Sequence, residues 1–549
     1  MTPDEFRALG HRMVDWIADY WQRVHTLPVL SRVKPGEIAT KLPEHAPEIG
    51  VGASCAEVPR TGVTPPDVGG LACPPPGPLP PGGGDASWDA IFRDLDQIVV
   101  PGLTHWQHPN FHAFFPANIS GPSVLGEMLS AGLGVQGMLW ATSPACTEME
   151  TRVLDWLGEA IGLLETFLSR SGTGGGVIQG TASEATLVAL VAARSRAVRA
   201  HLVMSEEGGA DVPSTGEPHL VAYASTQAHS SFIKAAMIAG LAKGPTDRRH
   251  LRLIECDEHD RIKPAALEAA MREDLASGRV PFFVFATMGT TSSTAVDPLR
   301  EVGDVLVRCA EGAQRPTPPQ PHRPGRGGVW LHVDAAHSGA ALVCPEMRWM
   351  SEGVERADSI AFNPHKWLLV NFDCNCFWTR DRAAIIESMS ITPEYLRNAA
   401  SDAKAVIDYR DWHVPLGRRF RALKVWFVLR HYGLEGLRAY IREHLRWSEV
   451  FESWVRGDER FEVLAPRTAN LICFRLRPRG GEMLADVNAR NTRLLEALNA
   501  TGRIYLTHTM LRRGGEDVFT IRFMIGTAST READVREAWR RISELAERV

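Results

Sequence analysis

Lys366 stands in Asn363-Pro364-His365-Lys366-Trp367, directly after the short apolar run Ser359–Phe362. Desolvation between a histidine and a tryptophan lowers an amine's pKa and favours the neutral nucleophile needed to join a carbonyl. Read alone, the residue equally fits a lysine whose stem packs on Trp367 while its ammonium reaches water. Asp334 closes a second apolar run, Val329–Val333, and precedes the small residues Ala335 and Ala336. A carboxylate at the mouth of a buried strand is costly unless it meets a cation. A structural ion pair or a cap is its alternative role. His229 follows a third run, Leu220–Ala224, where a helix-capping histidine is the alternative.

A glycine-rich stretch, Gly174 to Gly180, leads into Thr181-Ala182-Ser183-Glu184 and a strongly helical pattern. Thr181 and Glu184 have capping-box spacing. Free N–H groups and the positive dipole end of such a helix make an anion site. Gly289-Thr290-Thr291-Ser292 adds hydroxyl donors after the run Pro281–Ala286, with an ordinary capped turn as the alternative. An anion cradle, an acid, an amine and an imidazole on successive strand ends fit pyridoxal 5′-phosphate (PLP). The phosphate needs a helix N-terminus, the aldehyde a lysine and the pyridine nitrogen a carboxylate. The glycines do not follow G-x-G-x-x-G and no Walker lysine follows them, which disfavours a dinucleotide fold.

Other patterns point away from competing chemistries. His105, His108 and His112 are close in sequence, but Pro109 breaks helical register and no H-E-x-x-H occurs, so no metal is expected. Cys256-Asp257-Glu258-His259-Asp260 reads as a solvated loop. The nine cysteines are scattered and form no disulfide framework or paired zinc motif. Cys374 and Cys376 read as two thiols on one face of a strand. Lys+Arg is 60 against Asp+Glu 65, a net charge of -5, with no basic excess to hold a nucleic acid. No basic-then-apolar leader and no membrane-length apolar run is seen, so a cytoplasmic protein is expected.

The elements that must carry these residues alternate. Short apolar runs (also Val177-Ile178 and Cys376–Trp378) are separated by helical patterns at Ala182–Ala200, Ser231–Gly240, Pro264–Ser277 and Leu299–Ala310. This predicts an α/β fold with a largely parallel sheet covered by helices, and ligands at the carboxyl ends of its strands. The 549 residues, 44% hydrophobic and 23% charged, suffice for several core-forming units. We expect an N-terminal helical segment (1–119), a large domain (120–410) and a small α+β domain (411–549). The last holds helices Arg421–Tyr432 and Leu434–Trp454, strands Ala469–Arg475 and Phe519–Met524, and a final helix from Glu532. The first helix is capped by Thr2 and carries an apolar stripe of Phe6, Leu9, Met13, Trp16, Ile17 and Tyr20. Pro/Gly-rich stretches at Pro59–Gly84, Ser205–Gly216 and Gln314–Gly328 read as surface insertions.

Several long colinear motifs resemble the group II PLP-dependent decarboxylases, within them most closely the aromatic-L-amino-acid decarboxylases. They are SPACTEME (143–150), GGGVIQGTASEATLVAL (174–190), QAHSS (227–231), GTTS (289–292), WLHVDAA (330–336), FNPHKWLLVNFDC (362–374) and DYRDWHVPLGRRFRALKVWFVLRHYG (408–433). The resemblance implies a fold-type I architecture and a homodimer wrapped by the N-terminal segment. It implies that Lys366 is the Schiff-base lysine and that Asp334 holds the pyridine nitrogen, with Ala336 beneath the ring. His229 would stack on the opposite face and meet the substrate carboxylate. Ala182, Ser183, Thr291, Asn363 and His365 would surround the phosphate and its neighbours. Tyr395, in ITPEYLRNAASDAK, matches a tyrosine on a mobile loop implicated in protonating the product carbon.

The same resemblance addresses the substrate. Trp106, Phe115 and Pro116 match an aromatic pocket wall, and Gln136 and Met138 match a segment given by the partner subunit. Ala117 stands where relatives often carry a hydroxyl, which weakens the case for a catechol. Gly417 leaves room for a large ring. Tryptophan is therefore favoured, with phenylalanine, dihydroxyphenylalanine and tyrosine behind it. Related aldehyde synthases replace the tyrosine by phenylalanine or the stacking histidine by asparagine. Tyr395 and His229 thus favour decarboxylation to an amine over oxidative conversion to an aldehyde. The intact trio Lys366, Asp334 and His229 disfavours a non-catalytic PLP-binding homologue.

Overall fold

The computed structural model describes residues 3–42, 85–206, 218–311, 328–391 and 406–549. Thr2, Tyr395, the Pro59–Gly84 stretch and most of the two shorter insertions lie outside these ranges.

The chain opens with α1 (Pro3–Arg23) and α2 (Asp85–Asp94). Next come α3 (Gly121–Leu133) and α4 (Pro144–Ala160), each begun by a Ser-Pro or Ser-Gly-Pro step. Ser120 and Ser143 accept the amides of Ser123 and Cys146, both at 3.4 Å. Proline in the first turn removes an amide that would have no helical partner. The alternating region then gives β1 (Gly175–Gln179), α5 (Ala182–Glu206), β2 (Leu220–Ser225), α6 (Ser231–Ile238), β3 (Leu251–Ile254), α7 (Pro264–Ala276), β4 (Val280–Thr287), α8 (Leu299–Glu311), β5 (Trp330–Asp334) and β6 (Ser359–Phe362). It ends with the single turn α9 (Pro364–Trp367), β7 (Asn375–Thr379) and α10 (Arg382–Met389).

These strands form one sheet in the order β1-β7-β6-β5-β4-β2-β3. Neighbours from β3 through β2, β4 and β5 to β6 pair in parallel. β7 is antiparallel to both β6 and β1, so six strands share one direction. Their carboxyl ends therefore open on one edge, which collects the loops after Gln179, Ser225, Thr287, Asp334 and Phe362. Strands β1, β2, β5, β6 and β7 are buried throughout, which is why they read as unbroken apolar runs.

The C-terminal part comprises α11 (Ala422–Gly457), β8 (Phe461–Val463), β9 (Leu471–Leu476), α12 (Leu484–Ala500), β10 (Thr507–Arg513), β11 (Glu516–Met524) and α13 (Glu532–Ala546). A second, antiparallel sheet has the order β10-β11-β9-β8. The two helices expected over 421–454 are one run interrupted at Gly433, whose φ of 62° is non-helical. The half before and just after that break packs in the large sheet's core through Leu423, Val425, Val428 and Ile441. Phe451 and Val455 pack in the small sheet's core. Strands β3, β8 and β10 and helices α2, α3, α4, α9, α10 and α12 have no counterpart in the sequence reading.

One local expectation needs correction. The 256–260 loop is not wholly solvated. Asp260, at φ 64°, is buried and accepts two hydrogen bonds from Arg513 at 2.8 and 2.9 Å. On α1 the apolar stripe is partly covered: Leu9 is buried, Met13, Trp16, Ile17 and Tyr20 are half-buried and Phe6 is exposed. Phe6, Leu9, Met13 and Ile17, with Trp88, Val124, Leu125 and Met128, line an apolar groove of about 440 Å³. Among the described residues, no helix is long and apolar enough to cross a membrane.

Candidate active site

Lys366 lies in the α9 turn because Pro364 starts that turn immediately after β6. Its amide donates to the Asn363 carbonyl at 2.9 Å, and its own carbonyl accepts from Asn118 Nδ2. The side chain is half-buried, with Nζ 5.1 Å from the centroid of the Phe115 ring. Burial lowers the amine's pKa, the Asp334 carboxylate opposes that shift and the Arg522 charge adds to it. The neutral amine is thus made accessible without removing its acidic neighbour.

Asp334 ends β5 and is buried. One carboxylate oxygen accepts the Ala336 amide at 2.9 Å. Among the described residues no protein donor bonds the other, so it is available to a bound cation or N–H group. Burial lowers the His229 pKa, with Asp334 raising and Lys366 lowering it. The three groups therefore sense one another electrostatically. His229 Nδ1 accepts the Ser231 amide at 3.1 Å, as a helix-capping histidine would. That bond places the neutral ring's proton on Nε2.

The glycine-rich approach behaves differently from the expected capping box. Glu184 Oε2 accepts the Gly180 amide at 2.9 Å, one residue before the position a box requires. Glu184 instead reaches His413, with Nδ1 and Oε1 3.6 Å apart. Ser183 is exposed and Ala182 half-buried in the first turn of α5. Their amides precede the first full helical turn and have no intrahelical carbonyl to meet. Thr291 is the exposed tip of a tight loop. The Gly289 and Thr290 amides both donate to the Ala295 carbonyl at 2.9 Å, and the Ala295 amide to Thr290 Oγ1 at 3.0 Å. Asn363 and His365 are buried and partly spent on the fold. Asn363 Oδ1 accepts from Asn375 Nδ2 at 2.7 Å, and His365 Nδ1 accepts the Cys374 amide at 3.0 Å. Their remaining groups, Nδ2 of Asn363 and the protonated Nε2 of His365, are donors.

The residues expected to line a substrate pocket fall into two groups. Phe115 belongs to the Lys366 group. Its ring stacks on His337 at 4.1 Å and 6°, and the Arg522 guanidinium lies 5.5 Å from its centroid. Trp106 stacks on Phe114 at 5.7 Å, next in chain to Phe115. Ala117 is half-buried, one residue before the buried Asn118 that holds the Lys366 carbonyl. Gln136, Met138 and Gly417 form the second group. Gln136 Oε1 accepts the Arg418 amide, the Met138 carbonyl accepts the Arg410 amide at 3.1 Å, and a Cβ at Gly417 would sit 3.3 Å from Gln136 Nε2. Among the described residues, no hydrogen bond or ion pair joins this second group to Lys366.

Two residues of the site have no place in the sequence reading. Arg522, on β11, is 4% exposed, and donates to Ser292 O at 3.2 Å and Thr507 Oγ1 at 3.1 Å. An arginine inside the apolar strand pattern VFTIRFM is the signal that could have found it. His337 is sandwiched between Phe115 and Trp367, the latter at 5.0 Å. Burial holds its pKa near about 3, so it is neutral. Asn470 Nδ2 donates to Ile525 O, which fixes the amide so that its Oδ1 accepts from His337 Nε2 at 2.8 Å.

The three clustered histidines do not converge. His105 meets the Tyr20 hydroxyl at 2.8 Å, His108 the His25 carbonyl at 3.2 Å and His112 the Met524 carbonyl at 2.8 Å. Each is a core histidine with a depressed pKa, spent on a separate partner.

The family model "Pyridoxal-dependent decarboxylase conserved domain" matches residues 83–477. "Tryptophan decarboxylase 2" of Oryza sativa subsp. japonica is 41% identical over 551 residues, covering 100% of this chain and 96% of the relative. "Phenylacetaldehyde synthase" of Arabidopsis thaliana is 41% identical over 548 residues, again covering 100% and 96%. The crystal structure of Oryza sativa TDC with PLP and tryptamine superposes with a TM-score of 0.83 at 39% identity, covering 100% of this chain and 99% of that one.

Proposed function

The chain belongs to the pyridoxal-dependent decarboxylase family, and from that premise we propose that it removes the carboxylate of an aromatic L-amino acid, tryptophan first, releasing an arylalkylamine and carbon dioxide. PLP is its cofactor; when bound, it supplies a ring that accepts the electron pair left as the carboxylate departs. The donor set suits it: an amine of lowered pKa, a buried carboxylate with one oxygen unspent, and a helix start with free amides. The observation that carries the reading is Lys366 Nζ against the Phe115 ring, in the field of Asp334, with its pKa lowered.

Each residue then has a task. Lys366 would hold the cofactor's carbonyl carbon. Asp334 would keep the ring nitrogen protonated through the oxygen not bound to Ala336. Ala182, Ser183, Thr291, Asn363 and His365 would donate to the phosphate region, and Ala336 would help to hold the ring. His229, with its proton on Nε2, would donate to the substrate carboxylate and fix its orientation, favouring loss of that group over loss of the α-proton. Tyr395, outside the described residues, delivers the proton to the product carbon. Trp106, Phe115 and Ala117 bound the aromatic side chain on one side, and Gln136, Met138 and Gly417 on the other.

The apolar groove on α1 and the exposed Leu125, Met128, Leu129 and Leu133 of α3 support a homodimer. The second pocket group, unbonded to Lys366 within the chain, would serve the partner's site. The scattered cysteines support the cytoplasm as the compartment. The division at 119/120 and 410/411 is kept as a domain proposal, with α11 bridging the last two units.

A second reading is supported by the phenylacetaldehyde synthase relative: decarboxylation coupled to oxidation, giving an aldehyde. Purified enzyme is incubated with tryptophan, phenylalanine, dihydroxyphenylalanine and tyrosine, and products are identified by mass while oxygen is followed. Amine with carbon dioxide and no oxygen uptake is expected. Aldehyde with peroxide would replace the first reading by the second, and no turnover of any substrate would overturn both.

A further inference from the structure

Arg418 is 4% exposed and Glu150 2%. Neither belongs to the Lys366 group, yet together they contact both the pocket wall and the cofactor cradle. The main chain of Arg418 is zipped to the wall: its amide donates to Gln136 Oε1, and its carbonyl accepts the Gly137 amide at 3.0 Å. Its side chain turns the other way. Nη2 donates to Glu150 Oε1 at 2.6 Å and to the Ile178 carbonyl at 2.9 Å. Glu150 Oε1 also accepts the Ile178 amide at 2.8 Å.

Ile178 lies on β1, an edge strand whose other side pairs with β7 through Ile178 and Cys376. The ion pair thus satisfies both outward main-chain groups of that residue, as a neighbouring strand would. Four residues on from Ile178, Ala182 begins the helix that offers its amides to the phosphate. The Tyr409 ring lies 4.8 Å from the guanidinium carbon, and its hydroxyl is 2.9 Å from Thr151 Oγ1, which leaves the guanidinium little room. Wall and cradle are therefore fastened to the same buried cation.

We propose that Arg418, held by Glu150, is a positioning residue that couples the aromatic pocket wall at Gln136 and Gly417, which serves the partner's site, to this chain's own PLP cradle formed by β1 and the start of α5. The inference rests on the proposed function for the identity of the two sites, and goes beyond it in joining them. A ligand at either one stiffens the shared anchor and favours binding at the other.

The test compares holoenzymes carrying Arg418→Lys, Glu150→Gln and Gln136→Ala. Two quantities are read without turnover: the rate at which bound cofactor is lost on dialysis, and the spectral titration with L-tryptophan methyl ester, which has no free carboxylate to lose. Arg418→Lys is expected to speed cofactor loss and weaken the ester, each by about 2- to 30-fold. Glu150→Gln keeps an acceptor for the Ile178 amide and gives a smaller change in the same two readouts. Gln136→Ala weakens the ester and leaves cofactor loss unchanged. Saturating ester slows cofactor loss in the parent enzyme and does so less in Arg418→Lys. If Arg418→Lys, or Glu150→Gln should the former not fold, alters one readout alone, or lowers only the melting temperature, the coupling is overturned. Absence of carbon dioxide release from the parent enzyme overturns the proposed function separately, because neither readout depends on it.

Discussion

Lys366 draws its chemistry from burial and two neighbours: burial and Arg522 lower its pKa, while Asp334 raises it. Replacing Arg522 by glutamine removes one lowering influence, so the amine should titrate at higher pH than in the parent. The low-pH limb of cofactor retention, read from visible absorbance, is expected to move to higher pH; an unmoved or lowered limb would remove Arg522 from this role. Tyr395→Phe should shift product from amine towards aldehyde, measured by mass; full-rate amine formation would refute the protonating role. Lys366, Asp334 and His229 were legible in the sequence because each follows a buried strand, where an apolar run ends abruptly in a polar residue. Arg522 was not, because its neighbours in VFTIRFM give only a strand period. Its burial comes from Phe115 and the 289–295 loop, both remote in sequence. His337 hides for the same reason, as its two stacking partners, Phe115 and Trp367, lie on separate segments.

At the level of elements, the strand ends and most helices of the large sheet follow from periodicity, since both faces of that sheet are covered. β3 escaped because Arg252 interrupts its apolar run, and that guanidinium pairs with the buried Asp274 at 2.6 Å. β10, THTMLRR, is half polar and half exposed, so it lacks the buried signature. The antiparallel direction of β7 was not readable either, because an apolar run carries no polarity. The loop bearing Thr291 depends on Gly289, whose φ is 91° and whose Cβ, if present, would lie 2.0 Å from Ser338 Oγ. Gly289→Ala should therefore cost more than about 1 kcal/mol of stability. It should also speed cofactor loss, because Thr291 sits at the loop's tip. A variant with parental melting temperature and parental cofactor retention would contradict this use of the loop.

Over the whole molecule, buried histidines set the response to acid. Burial depresses His108 and His112 to about 4, and His332, His337, His365 and His444 to about 3. Below the unfolded value of about 6.5 the unfolded chain binds protons that the folded chain refuses, so stability falls as pH drops towards 4. The slope is at most about 1.4 kcal/mol per pH unit for each such histidine. Asp297, raised to about 6 by burial, acts in the opposite sense between its unfolded value and 6, and is outnumbered. The melting temperature should drop between pH 7 and pH 5; a flat profile would contradict the neutral histidine core. The most direct measurement of all is borohydride reduction of the cofactor-loaded enzyme, followed by peptide mapping. The pyridoxyl label is expected on Lys366, and to be absent from Lys366→Ala. A label on another lysine, or none on the parent chain, would contradict the account at its centre.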